Sequence, residues 1–296
     1  MSGFDPAVLA RLKNLSLRAR TVVDGIMTGI HPSRAKGTSS EFEGHREYAP
    51  GDDLRHIDWK AYGKFDRYYL KEYRQTTNLK AHLLVDASAS MGYGSNGVSK
   101  FEYGITLAAS LAYLMLRQQD AVGLITFAED VKRRIPARAT QGHLVGLIRE
   151  LEERKPSGET RTGPILQELA GTLKRKGVVV LVSDLLDDPE EVIRGLKQIR
   201  SRGSEVLVFQ LLDREELEFP FEEPTLFVDL EEDLRIQTDP RPLRPAYLKA
   251  LNGLIDRYRE ACAENRIDYN LYPTTAGLDL SLARYLTWRE KIRTPA

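Results

Sequence analysis

Cysteine is almost absent from these 296 residues: the one present, Cys262, excludes any internal disulfide, and its place in a helical run reads as a small buried apolar residue rather than a reactive thiol. A surplus of either charge is also missing. The 43 basic and 43 acidic residues cancel, which argues against a dominant phosphate-backbone partner and so against a nucleic-acid-binding module. No stretch approaches the roughly 20 apolar residues that a membrane span needs, and the opening Met1-Ser2-Gly3-Phe4-Asp5-Pro6 lacks a basic-then-apolar signal, so the expected location is the cytoplasm. Internal repeats and low-complexity segments are lacking too. What remains is a chain long enough for one large or two modest domains with a well-supported core.

The chemistry concentrates at Val85-Asp86-Ala87-Ser88-Ala89-Ser90-Met91. The preceding run, Ala81-His82-Leu83-Leu84-Val85, is apolar enough for a strand buried on both faces, and it stops at a carboxylate followed by two hydroxyls at alternate positions. In a loop leaving the strand, Asp86, Ser88 and Ser90 can turn three oxygens toward one point, and hard oxygen donors suit Mg²⁺, Mn²⁺ or Ca²⁺ rather than zinc. Two distant segments extend the set. Val178-Val179-Val180-Leu181-Val182-Ser183-Asp184 is a second buried strand ending in an aspartate, and Gly158-Glu159-Thr160-Arg161-Thr162-Gly163 is a turn-rich loop with hydroxyls just before a helix. Neighbouring strands lie about 4.8 Å apart, so Asp86 and Asp184 can share one ion if their strands are adjacent.

Asp86-x-Ser88-x-Ser90, Thr160 and Asp184 resemble the metal-ion-dependent adhesion site of von Willebrand factor A domains. That resemblance implies two serines and a threonine holding the ion, with the aspartates binding it directly or through water. The Gly-x-Thr pattern favours Thr160, with Thr162 as the alternative. Upstream, Arg46-Glu47-Tyr48-Ala49-Pro50-Gly51-Asp52-Asp53-Leu54-Arg55-His56-Ile57-Asp58-Trp59 is similar to the signature of the bacterial domain-of-unknown-function family 58. The chain departs from many A domains at Leu185, where they carry glycine after the aspartate. The resemblance implies a non-enzymatic, divalent-cation-dependent interaction module, with Mg²⁺ the expected ion. It further implies an adaptor for a MoxR-type AAA+ ATPase, whose client protein supplies a carboxylate to the metal, in complex assembly or metalloenzyme maturation. The alternative from another class is a metal-dependent phosphoryl or ester hydrolase.

The rest of the chain reads as an α/β fold. Asp5-Pro6 starts a short amphipathic helix; residues 18–30 are mixed, and 29–40 form a Gly/Ser/Lys/Pro-rich loop. Short strands follow at 41–48, 53–59 and 68–76. Arg46, Arg55, Asp52, Asp53 and Asp58 crowd the turn between the first two, either pairing among themselves or facing a partner. The A-type domain then alternates strands at 81–85, 121–127, 178–183 and 205–212 with helices at 100–117, 141–154, 164–176 and 189–202, plus an antiparallel edge strand at 131–136. Residues 214–224 read as a solvated loop, 226–230 with 234–237 as a hairpin, 242–265 as a long helix, 268–272 as a last strand and 278–292 as a closing helix. Right-handed crossovers give a doubly wound, Rossmann-like and mostly parallel sheet of order 3-2-1-4-5-6, with a small N-terminal β-rich module in front. The expected domains are 1–78, 79–275 and a C-terminal helix at 276–296.

Overall fold

A computed structural model describes residues 5–12, 14–30, 42–48, 57, 59–65, 67–73, 79–173, 177–231 and 234–293. The chain forms two compact units, one of Met1–Met27 with Leu79–Ala296 and the other of Thr28–Asn78. Residues 1–27, expected with the module that follows them, thus group with the large unit. Helix α1 (Pro6–Ala10) starts at Asp5, whose side chain accepts from the Ala7 amide, with Pro6 in the first turn. After a break, α2 (Leu15–Ile30) runs on through the stretch read as mixed. Its buried Leu15, Ala19, Val22, Val23 and Ile26 recur at helical spacing and join the main core.

In the smaller unit, β1 (Phe42–Glu47) pairs antiparallel with β2 (Tyr69–Tyr73), and between them lies α3 (Trp59–Phe65). Trp59, expected at the end of a strand, instead opens this helix. The helix lets Tyr62 stack on Tyr68 at 4.6 Å between ring centroids and meet Trp59 edge-on at 6.4 Å. The Arg46 side chain and residues Asp52, Asp53, Arg55 and Asp58 lie outside the described residues, as do 31–41, 53–56, 74–76 and 174–176.

The large unit contains β3 (Lys80–Asp86), α4 (Lys100–Arg117), β4 (Ala121–Phe127), β5 (Val131–Arg138), α5 (His143–Glu153), α6 (Thr162–Thr172), β6 (Val178–Ser183), α7 (Pro189–Ser201) and β7 (Glu205–Leu212). There follow α8 (Arg214–Glu218), a hairpin of β8 (Thr225–Val228) and β9 (Arg235–Thr238), α9 (Arg244–Glu264), β10 (Asp268–Pro273) and α10 (Leu278–Arg293). The six-stranded sheet runs β10-β7-β6-β3-β4-β5, parallel except at the β5 edge. Counted from β3 with the hairpin set aside, that is the expected 3-2-1-4-5-6, the von Willebrand factor A-like arrangement. The hairpin forms its own two-stranded sheet.

Both faces of this sheet are covered, and side-chain alternation sorts them. Leu83 and Val85 of β3, with Val178, Val180 and Val182 of β6, pack into the core that includes α4. Leu84, Val179 and Leu181 face the opposite core with α6, α7 and α9, where Cys262 is buried. Burial pushes its thiol up to about 12, which makes it unreactive at neutral pH. Helix α10 packs Leu282 and Tyr285 into the α4 side and inserts Arg289, whose guanidinium meets Asp120 and the Tyr285 hydroxyl. The segment after Arg214 is a capped helix rather than the loop expected. The Asp213 side chain and Glu216 form a reciprocal capping box, and Phe219, at φ 44°, ends the helix and packs on Phe221, Phe227 and Tyr247. Among the described residues no helix is long and apolar enough to cross a membrane.

Candidate metal centre

The adjacency of β3 and β6 brings their two terminal carboxylates to one end of the sheet. Past Asp86 the chain turns sharply: the Asp86 Oδ1 accepts from the Ser88 amide at 2.9 Å, and a 3-10 turn over Ala89–Gly92 begins at once. Ser88 precedes that turn without spending its hydroxyl on capping it. Backbone bonds lock a second loop beside the first, from the Ala89 amide to the Gly158 carbonyl and from the Ser157 amide to the Ala87 carbonyl, both 2.9 Å. Gly158 sits at φ 82°, a left-handed conformation that a residue with a Cβ adopts only with strain.

These constraints align three hydroxyls from segments 70 residues apart. Ser88 Oγ lies 3.1 Å from Ser90 Oγ, and Ser90 Oγ lies 3.3 Å from Thr160 Oγ1. Asp86 and Ser88 are fully buried, while Ser90 and Thr160 are partly exposed, so the group opens to solvent on the side of the two later hydroxyls. Six oxygens at about 2.0–2.1 Å around an ion stand about 2.9 Å apart along an octahedral edge, and about 3.3 Å apart when the radius is about 2.3 Å. The hydroxyl separations therefore suit a small divalent cation, and hydroxyl and carboxylate oxygens are the donors that Mg²⁺, Mn²⁺ and Ca²⁺ accept. Among the described residues no three or more His, Cys, Asp or Glu side chains form a metal-holding group. Any ion here would depend on neutral hydroxyls beside Asp86 and Asp184.

The alternative, Thr162, lies in the first turn of α6, is fully buried, and its hydroxyl makes no hydrogen bond. Thr160 rather than Thr162 is hydrogen-bonded to the run of serine hydroxyls, through Ser90. Asp184 is near Asp86 but turned to other partners: Oδ2 accepts from Lys100 Nζ at 2.8 Å and Oδ1 from the Leu186 amide at 3.3 Å. Lys100 also bonds Glu216 Oε1 at 2.6 Å, and its side chain is 1% exposed. Burial works against that ammonium, but the charges of Asp184 and Glu216 outweigh burial and raise its pKa. For Asp86, burial first and the Asp184 charge second push the carboxyl up to about 7, opposed by hydrogen bonds from Ser183 and Ser88. A divalent cation would relieve both causes at once.

Four contributors escaped the sequence reading. Ser183, the last residue of β6, donates to Asp86 Oδ2 at 2.6 Å and accepts from the Leu185 amide. Lys100 and Glu216 form the ion-paired group around Asp184. Glu231, just past β8, binds Thr160 with both carboxylate oxygens, accepting from the amide at 2.9 Å and from the hydroxyl at 2.5 Å. Lys100 carried a signal, a basic residue in the first turn of a helix, where the helix dipole favours acidic ones. The residue after Asp184 explains the departure from glycine: Leu185 adopts φ 54°, the left-handed region, with its side chain fully buried and its carbonyl accepting from the Tyr258 hydroxyl at 3.1 Å.

Residues 44–253 match the sequence profile of the family described as protein of unknown function DUF58. An uncharacterized protein of Mycobacterium tuberculosis strain H37Rv is 28% identical over 219 residues, 73% of this chain and 68% of that protein; one from Mycobacterium bovis matches to the same extent. Among solved structures, the chain is similar to the conserved hypothetical protein BatB from Bacteroides thetaiotaomicron, with a TM-score of 0.49, 17% identity, and coverage of 72% of this chain and 99% of that one. The VWA domain of SpRpn10 aligns with a TM-score of 0.41 and 14% identity over 71% of this chain and 95% of that one.

Proposed function

Because this chain belongs to the DUF58 family, whose description leaves its activity open, we propose its role from the site: it is a non-enzymatic, divalent-cation-dependent protein-interaction module. Ser88, Ser90 and Thr160 would hold the ion, with Asp86 and Asp184 behind them binding it directly or through water. Mg²⁺ is the ion proposed, and bound there it supplies a positive centre for an oxygen from another protein. The carrying observation is the run of hydroxyls 3.1 and 3.3 Å apart, drawn from loops 70 residues apart and open to solvent at the Thr160 end. Binding rather than hydrolysis is supported by Lys100, which is committed to Asp184 and Glu216 and is not free to clamp a phosphate. From the family resemblance we propose that the partners are a MoxR-type AAA+ ATPase and a client that offers a carboxylate.

The test combines calorimetry with capture. Mg²⁺ titrated into the metal-free protein should bind at one site, and Asp86→Ala should abolish that binding along with Mg²⁺-dependent capture of the ATPase. Capture that persists undiminished in chelator, or in the Asp86→Ala protein, removes the ion from the mechanism.

A further inference from the structure

Among the described residues, Glu231 is the carboxylate hydrogen-bonded to the run of hydroxyls at its Thr160 end. It stands just beyond β8, in the connection to β9, where its own amide bonds Asp229 Oδ1 at 2.7 Å and the Asp229 amide bonds the Leu234 carbonyl at 2.9 Å. From there both of its oxygens go to Thr160, 71 residues away in sequence. The run of close oxygens therefore has a fourth member, from Ser88 Oγ through Ser90 Oγ and Thr160 Oγ1 to Glu231 Oε1. Charge makes that fourth position informative. Glu231 brings a carboxylate to the Thr160 end of the run, while Lys100, at the Asp184 end, is engaged with Asp184 and Glu216. A carboxylate drawn onto this run of hydroxyls, with no ion pair of its own among the described residues, fits a site completed by a cation.

We propose that Glu231 is an internal ligand of the cation site, filling the position that a partner's carboxylate would take, so that partner capture requires the β8–β9 hairpin to give way. This rests on the cation reading above. The hairpin is built for such displacement. Phe227 holds it at one face against Phe219 and Phe221, while Leu226 and Val228 on the other face are 54% and 48% exposed. Few buried contacts resist its lifting, which is the physical condition for a segment that opens locally. A partner must then outcompete a tethered carboxylate.

Mn²⁺ serves as the probe, because water-proton relaxation reports how many waters a bound Mn²⁺ carries. In the full chain, Glu231→Ala should raise the relaxivity of bound Mn²⁺ by about one coordinated water. Added acetate should cancel that gain in the variant and leave the wild type unchanged. Glu231→Gln keeps a carbonyl to accept from the Thr160 amide, and it should fall between the two. Equal relaxivity and equal acetate response in wild type and Glu231→Ala, with Mn²⁺ binding still abolished by Asp86→Ala, would overturn the internal ligand and leave the cation site standing. Mn²⁺ binding that is indifferent to Asp86→Ala would sink both.

Discussion

Replacing Lys100 by methionine removes one charge and little volume from a place where the charge has no substitute. The ammonium stands 2.8 Å from Asp184 and 2.6 Å from Glu216 with a side chain 1% exposed. At an effective dielectric constant near 20, each contact is worth about 6 kcal/mol before the cost of taking the ammonium out of water. Removal of one member of a buried ion pair costs about 3–5 kcal/mol, because the partner stays buried without a counter-charge, whereas an exposed pair would cost under about 1 kcal/mol. Urea unfolding followed by circular dichroism, in chelator at pH 7.5, should therefore show Lys100→Met less stable by about 3–5 kcal/mol. Burial already raises the Glu216 carboxyl and Lys100 holds it down, so in the variant that carboxyl rises further and the deficit should shrink toward pH 5 as it takes up a proton. Mg²⁺ should stabilise the variant more than the wild type, since the cation then meets an Asp184 that no ammonium neutralises. A deficit below 1 kcal/mol at pH 7.5, or one that does not change with acidification, would refute this account of the group.

Two further predictions concern other buried charges. In chelator, the Asp86 carboxyl is held near 7 in the folded chain against an ordinary 3.8. The folded state thus keeps a proton that the unfolded chain releases, and stability should fall by about 4 kcal/mol as pH rises between those values, at about 1.4 kcal/mol per pH interval. The same titration on Asp86→Asn should lack that component, and saturating Mg²⁺ should remove it from the wild type; identical pH profiles for wild type and Asp86→Asn count against it. At the other end of the sheet, Arg289→Met strips Asp120 of its guanidinium and should cost about 3 kcal/mol, most of it recovered when Asp120→Asn is added. A double-mutant cycle by urea unfolding checks this, and a single-variant cost under 1 kcal/mol contradicts it.

The parts of this fold that could be read from the chain are those that local pattern determines. Continuous apolar runs marked β3, β6 and β7 because both sheet faces are covered, and right-handed crossovers then placed Asp86 beside Asp184. The Asp86, Ser88 and Ser90 spacing was legible because it needs only one loop. Thr160 was found through a pattern, but Lys100, Ser183 and Glu231 were not, since they meet their partners across 84, 97 and 71 residues, and tertiary packing alone sets those meetings. Three misreadings had signals available. The Asp213-x-x-Glu216 capping box announced α8 within the supposed loop, and Ala19, Val22, Val23 and Ile26 carried a helical period through the stretch read as mixed. Trp59, read as the end of a strand, follows Asp58 in sequence, a residue type that starts helices, and it opens α3.

The left-handed backbone at Leu185 has a bearing on how far influence on Asp184 extends. A glycine would take that conformation at no steric expense and leave the neighbouring aspartate free to swing; a leucine pays about 1 kcal/mol and is kept there by its surroundings. Its grip comes from Tyr258, a residue of α9 on the far side of the sheet from α4, whose hydroxyl clasps the Leu185 carbonyl. The setting of Asp184 is thus tied through Leu185 to a helix on the opposite face from α4, and a shift of α9 should be felt at the proposed cation site as a key is felt at a bolt.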